Sequence, residues 1–360
     1  MKINIYFSTT CLSGGTFILL EYARRLTTLG NDVSCYFVSK PMKFNSNNVN
    51  EFIRNSWFGL RLRMIKAKIR ARAEIPELNK RYPDIFISTV DGIDSRKIRS
   101  ADAGIAGSWP SAYMLSCDVH TSKKLYLVQD YEDWDIAGYG KKSYFLPIEK
   151  VVVSKGINDR LMKELQIGPY PVIYNGIDFE IFSAPHRLQK ENSKDIVFSM
   201  LYSDGVQKGC KIGIAAFEKL KSEFPDVRLI MFGMPEKPHL DFEFEYHQNA
   251  SQQKVVEIYR GTDVFIWPTL WEGWGLTPVE AMACGCVVAG SKVASMSEVG
   301  ENYVNALLSS PGHVDELYQN LKRLVIDSDL RNKLSNASRN SIRQLSWAVS
   351  VKKLENLLEN

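Results

Sequence analysis

The sequence predicts an α/β protein with two domains, each a parallel sheet with helices on both faces, and three observations carry that reading. Its 360 residues exceed the size at which one hydrophobic core stops growing. Short runs of β-branched and aromatic residues alternate with helical patterns, the rhythm of parallel strands joined by crossover helices. The alternation falls into two series, separated by a polar stretch.

Strands of the first series are expected at Lys2–Phe7, Asp32–Val38, Asp84–Val90, Gly104–Gly107, Lys124–Gln129, Lys150–Val153 and Pro171–Tyr174, with a helix over Thr16–Leu29. Asn175-Gly176-Ile177-Asp178 then reads as a turn, and Ser183–Lys194 as a linker. Strands of the second series are expected at Asp195–Leu201, Asp226–Gly233, Asp263–Trp267 and Cys286–Gly290. Two Rossmann-like domains follow, over residues 1–180 and 181–345, with a cleft between them and a terminal helix over 346–360.

Composition narrows the class. No window approaches the roughly 18 uninterrupted apolar residues of a membrane span, and Met1-Lys2-Ile3 leads directly into a strand instead of a signal peptide. A cytoplasmic protein is expected. The six cysteines, Cys11, Cys35, Cys117, Cys210, Cys284 and Cys286, have no zinc spacing and sit mostly in apolar runs, so reduced, buried thiols are expected. The five histidines show no ligand spacing either. Asp327-Ser328-Asp329 follows an apparent helix and reads as a cap and surface turn, so no metal and no cofactor are expected.

The most informative segment is Glu272-Gly273-Trp274-Gly275-Leu276-Thr277-Pro278-Val279-Glu280, bracketed by two strands. Its glycines let backbone N–H groups converge on a ligand. Thr277 is placed to cap a helix that Pro278 opens, and the helix N-terminus adds positive potential. Such a nest suits a diphosphate. Two acids beside a phosphate site are unfavourable unless reserved for hydroxyls, so Glu272 and Glu280 read as acceptors for sugar and ribose OH groups. A nucleotide sugar carries both.

This segment resembles the Glu-x7-Glu signature of the family 4 retaining glycosyltransferases, which have the two-domain GT-B fold. Asn175-Gly176-Ile177-Asp178 with Phe182 is similar to the junction of that family, so the resemblance covers nearly the whole chain. It implies transfer of a hexose or deoxyhexose from a nucleoside-diphosphate sugar to a glycan acceptor in cell-surface polysaccharide, O-antigen or capsule synthesis. It also implies that the segment around Leu345-Ser346-Trp347 crosses back to the first domain. The alternative is a GT-B sugar-nucleotide epimerase or phosphorylase-like enzyme.

Three further loops carry candidates. Gly14-Gly15 lies between the first strand and helix; it is either a flexible turn or, as the resemblance implies, a wall against the donor. The Gly-x-Gly-x-x-Gly of a dinucleotide site is absent there, which argues against a dehydrogenase. Lys208, beside Gly209, is either a solvated lysine or the cation on the phosphates. Family 4 proteins typically place an arginine six residues before that lysine, where this chain has Tyr202. The acid-rich loop Asp130-Tyr131-Glu132-Asp133-Trp134-Asp135 either binds acceptor hydroxyls, with Asp130 at the catalytic centre, or is a solvated loop. The catalytic candidates are therefore Glu272, Lys208 and Asp130. The donor-binding candidates are Gly14, Gly15, Gly273, Trp274, Gly275, Leu276, Thr277 and Glu280.

Charge is uneven. Residues 1–180 hold 25 basic and 19 acidic residues, and Phe52–Ala73 carries seven basic residues, no acid and interleaved Trp57, Phe58, Leu60 and Met64. Such a basic, aromatic stretch suits a lipid-linked acceptor at an anionic leaflet and peripheral attachment to the inner face of the membrane, or is a charged surface helix. No nucleic-acid module is recognisable, so no nucleic-acid partner is expected.

Overall fold

A computed structural model describes residues 1–7, 14–38, 74–90, 97–133, 138–183 and 195–359. Phe52–Ala73, Cys11, Trp134, Asp135 and most of Ser183–Lys194 lie outside the described residues. The chain divides into two compact units, Met1–Val153 with Arg160–Ile173 and Val351–Asn360, and Ser154–Asp159 with Tyr174–Ser350.

The first unit is built on β1 (Lys2–Phe7), β2 (Asp32–Val38), β3 (Phe86–Val90), β4 (Ala101–Ala106), β5 (Thr121–Val128) and β6 (Glu149–Val152). All pairings are parallel, in the order β3-β2-β1-β4-β5-β6. Helices α1 (Gly14–Thr28), α2 (Trp109–Cys117) and α3 (Tyr139–Ser143) accompany it. Ile3, Ile5, Leu20, Leu26, Phe37 and Leu127 are fully or almost fully buried, each contributing roughly 1.5–3 kcal/mol on removal from water. A helix α4 (Lys155–Leu165) follows β6.

The second unit repeats the plan after a short helix α5 (Phe179–Phe182), whose first turn is capped by Asp178. Its strands are β7 (Val197–Tyr202), β8 (Arg228–Gly233), β9 (Glu245–Gln248), β10 (Val264–Trp267), β11 (Val287–Ser291) and β12 (Ala306–Ser309). They pair in parallel in the order β12-β11-β10-β7-β8-β9. Helices α6 (Cys210–Glu223), α7 (Gln252–Gly261), α8 (Leu276–Ala283), α9 (Ser295–Glu298), α10 (Val314–Ile326) and α11 (Ser328–Ser341) complete it, and α12 (Trp347–Glu359) begins in this unit and belongs to the first from Val351 on. Phe198, Met200, Phe217, Ile266, Leu307 and Leu321 form its core.

Both sheets have the strand order in which the first and fourth strands are neighbours and their connections leave on opposite sides. Doubly wound sheets bind ligands at that switch point, outside the carboxyl ends of the strands. In the second unit it lies between β7 and β10.

Several expectations are corrected. Pro171–Tyr174 is not a strand, only a single bridge between Val152 and Val172. The strand expected at Gly104–Gly107 runs over Ala101–Ala106 and stops before Gly107, beyond which Ser108 leads into α2. Gly14 and Gly15 are not a turn before the first helix but its first two residues. Cys117 is exposed, whereas Cys35, Cys210, Cys284 and Cys286 are buried free thiols. Asp327 does cap a helix, accepting the Leu330 N–H at 2.8 Å.

Candidate functional site

The switch point of the second unit is formed by the loops that follow β7 and β10. After β7, a single 3-10 turn, Val206–Lys208, ends at Gly209, whose φ of 61° opens α6. A side chain there would place its Cβ 2.0 Å from the Pro268 carbonyl oxygen, so only glycine permits this approach. The Leu270 and Trp271 N–H groups donate to the Gln207 carbonyl at 2.8 and 3.3 Å and fasten the two loops together. Lys208 Nζ consequently reaches Glu272 Oε1 at 2.6 Å, with both side chains about a quarter exposed. The other Glu272 oxygen, Oε2, is buried without a hydrogen-bond partner among the described residues. An orphaned buried acceptor of this kind is costly in an empty site and valuable to a ligand hydroxyl.

Downstream of Glu272 the backbone turns sharply at Gly275, where φ is 81° and an added Cβ would meet the Trp267 ring at 2.8 Å. The N–H groups of Gly273, Trp274 and Gly275 make no hydrogen bond among the described residues. They form a donor cluster ahead of α8, whose N-terminal dipole adds positive potential. Thr277 does not cap this helix. Gly275 is the capping residue, with no side-chain cap, and α8 starts at Leu276. Pro278 is therefore the third helical residue and not the first; it is tolerated there because the first four helical N–H groups have no intrahelical partner anyway.

The Glu280 side chain, one turn along α8, makes no hydrogen bond or ion pair among the described residues. Its carboxyl is pushed up to about 7, first by burial and second by the Glu272 carboxylate. The Tyr259 hydroxyl, fully buried, is likewise pushed up, by burial and then by Glu280. Trp274, 2% exposed, stacks on Tyr174 with centroids 4.8 Å apart. Tyr202 ends β7 with its ring edge-on to Tyr246 at 6.1 Å.

In the first unit, Gly15 sits against Gln129, whose Nε2 donates to the Gly15 and Gly107 carbonyls at 3.1 and 3.3 Å. Gly14 is exposed with open space around it. Asp130 is exposed just past β5, its Oδ1 accepting the Tyr131 N–H at 2.8 Å. Within the described part of the acid-rich loop, exposure differs from residue to residue. Glu132 is buried and accepts the Trp109 N–H at 2.9 Å and the Tyr126 hydroxyl at 3.0 Å. Asp133 pairs with Arg160 at 2.6 Å, and Arg160 in turn lies 3.8 Å over the Tyr131 ring and holds Glu164 down at about 2.

Residues that sequence reasoning passed over include Tyr174, Ser295 and Glu298, which act through contacts between distant segments. Among the described residues no group of three His, Cys, Asp or Glu side chains is placed to hold a metal, and no helix is long and apolar enough to cross a membrane.

Comparison with known proteins fits this geometry. The chain is similar to the lipopolysaccharide core biosynthesis mannosyltransferase LpsB of Rhizobium meliloti, 28% identical over 200 residues, 49% of this chain and 56% of that protein. It is also similar to the serotype-specific mannosyltransferase WbdA of Escherichia coli, 29% identical over 94 residues, 26% of this chain and 11% of that protein. The chain thus spans little more than half of the one relative and a small part of the other. The fold matches HepE of Anabaena in complex with UDP-glucose over 100% of this chain and 99% of that one, with a TM-score of 0.73 at 14% identity. Sucrose-phosphate synthase of Thermosynechococcus elongatus matches over 100% and 98%, with a TM-score of 0.71 at 14% identity. The two parallel six-stranded sheets with their helices are the GT-B architecture. Residues 186–341, which contain Lys208, Glu272 and Glu280, match the family model for glycosyl transferases group 1.

Proposed function

We propose that the protein is a retaining, metal-independent glycosyltransferase of the family 4 type. It moves a hexose or deoxyhexose from a nucleoside-diphosphate sugar to a lipid-linked glycan in cell-surface polysaccharide synthesis, at the cytoplasmic face of the membrane. The mannosyltransferase names of its relatives favour a hexose donor and a surface-glycan acceptor. The observation that carries the reading is the Lys208–Glu272 pair at the switch point, beside the unpartnered N–H groups of Gly273, Trp274 and Gly275.

In the proposed reaction the bond between the anomeric carbon and the diphosphate oxygen breaks, and its electron pair leaves with the diphosphate. Lys208 and the loop N–H groups meet that charge, the electrostatic route to transition-state stabilisation. The acceptor oxygen attacks from the face the diphosphate leaves, and its proton passes to the departing phosphate oxygen, so configuration is kept without a protein base. Glu272 accepts sugar hydroxyls through the otherwise unpartnered Oε2, and Glu280 accepts ribose hydroxyls. Asp130 and the glycines Gly14 and Gly15 are proposed as contacts to the acceptor and the donor.

Thermal shift with a panel of UDP-, GDP- and dTDP-sugars identifies the donor, and label transfer into a lipid-linked glycan fraction tests the reaction. Label that remains in the nucleotide sugar but with inverted configuration favours the epimerase, and phosphate-dependent release of sugar phosphate favours the phosphorylase. Absence of any donor-induced shift overturns the reading.

A further inference from the structure

The loop that holds Glu272 is gripped from behind by one helical turn. In α9, Ser295 donates its N–H to the Trp274 carbonyl at 2.6 Å and its hydroxyl to the Gly275 carbonyl at 2.9 Å. Three residues on, Glu298 Oε2 accepts the Tyr174 hydroxyl at 2.6 Å, and the Tyr174 ring is the surface on which Trp274 stacks, 17° from parallel. Glu298 Oε1 also accepts the first N–H groups of α4, from Lys155 at 2.5 Å and Gly156 at 3.4 Å. The Tyr174 backbone is fixed in turn, its carbonyl accepting the Ser350 hydroxyl at 2.6 Å.

Ala294, immediately before α9, has φ 48° and ψ −129°, a conformation that costs a non-glycine residue energy and persists only where its surroundings enforce it. The Gly-Trp-Gly turn thus has its carbonyls tied to Ser295 and its one large side chain clamped between the loop and Tyr174. Its N–H groups make no hydrogen bond among the described residues.

We infer that Tyr174 and Glu298 are positioning residues for the donor loop: the hydroxyl–carboxylate bond holds Tyr174 against Trp274, which orients the N–H groups of residues 273–275 toward the diphosphate. The inference rests on the donor-site reading above. A preorganised donor cluster loses affinity when its supporting contacts are removed, because the loop must then be ordered at the expense of binding.

The test is calorimetric titration of the full chain with UDP, GDP, ADP and dTDP, in the wild type and in Tyr174→Phe, Glu298→Gln and the double variant. Tyr174→Phe keeps the stacked ring and removes only the hydroxyl. Affinity for the nucleotide that the wild type binds should fall about fivefold in each single variant, the worth of one hydrogen bond, and no further in the double variant, since both changes break the same bond. Amide hydrogen exchange gives the second readout: faster exchange confined to residues 273–276 supports positioning, whereas faster exchange throughout the second unit means a merely structural role and overturns the inference. Wild-type affinity in both single variants also overturns it while leaving the donor site standing. A wild type that binds none of the four nucleotides removes the donor-site reading and the inference with it.

Discussion

Glu280→Gln should make the protein more stable and less able to bind nucleotide, and the gain should depend on pH. The Glu280 carboxyl is held at about 7 instead of its ordinary 4.5, by burial and by the neighbouring Glu272 charge. The folded protein therefore binds this proton more tightly than the unfolded chain. The associated stability is fully present below about pH 4.5 and is lost as pH rises through about 7. At 1.36 kcal/mol for each tenfold change in proton affinity, ionising Glu280 at high pH costs on the order of 3 kcal/mol. Because its residue surface is only half-buried, about 1–3 kcal/mol is the figure to test. Glutamine cannot ionise, so the variant escapes that cost. Thermal midpoints of both proteins, followed from about pH 5 to about pH 8, should diverge, the variant gaining several degrees at the alkaline end. Titration with the nucleotide the wild type binds should show affinity falling about tenfold in the same variant, since an amide replaces a charged acceptor of ribose hydroxyls. Stability curves that run parallel across this range would refute the account of Glu280.

Lys208→Ala should weaken nucleoside diphosphate binding by about tenfold or more, the worth of one charge-assisted contact; unchanged affinity by calorimetry would remove Lys208 from the site. Glu272→Gln should do the reverse for the free diphosphate, because Lys208 no longer has to leave a carboxylate, while the advantage of the sugar-bearing nucleotide over the bare one shrinks. A variant in which both ligands weaken equally would count against that division of roles. Transfer should persist in excess EDTA, and activity restored only by Mg²⁺ or Mn²⁺ would put a metal into the charge inventory.

The parallel winding was legible because its strands are runs such as Ile3-Asn4-Ile5-Tyr6-Phe7 and Val287-Val288-Ala289, which bury on both faces and stand out from their surroundings. The edge strands of the second sheet were not. Glu245-Tyr246-His247-Gln248 is polar throughout, as a strand with one open edge can be, and Ala306-Leu307-Leu308-Ser309 is too short to separate from a helix by period. Lys208 and Glu272 were each legible from loop chemistry, but their 2.6 Å contact depends on β7 and β10 being neighbours, which no local pattern encodes. The helix start was misplaced by two residues because Thr277-Pro278 is a good local cap signal, and the left-handed turn at Gly275 overrides it. Glu132 looked like one acid among several in a polar loop. Only the fold shows it buried beneath Trp109 and Tyr126.

Tyr202 bears on how the site handles charge. It occupies the place where the resembled family carries an arginine, and its ring packs edge-on to Tyr246, so it supplies no cation. On the proposed reading Lys208 and the N–H groups of residues 273–275 meet the charge of a diphosphate. Lys208 is already committed to Glu272, and withdrawing it exposes a carboxylate whose second oxygen is buried and unpartnered. A bare nucleoside diphosphate would take the lysine and offer that carboxylate nothing. A nucleotide sugar brings hydroxyl donors to both Glu272 oxygens at the moment the ion pair opens, so the same exchange becomes favourable only for the complete donor. Discrimination between substrate and product, which a second cation would blur by binding either one through its phosphates, then resides in the pair that the switch point brings together.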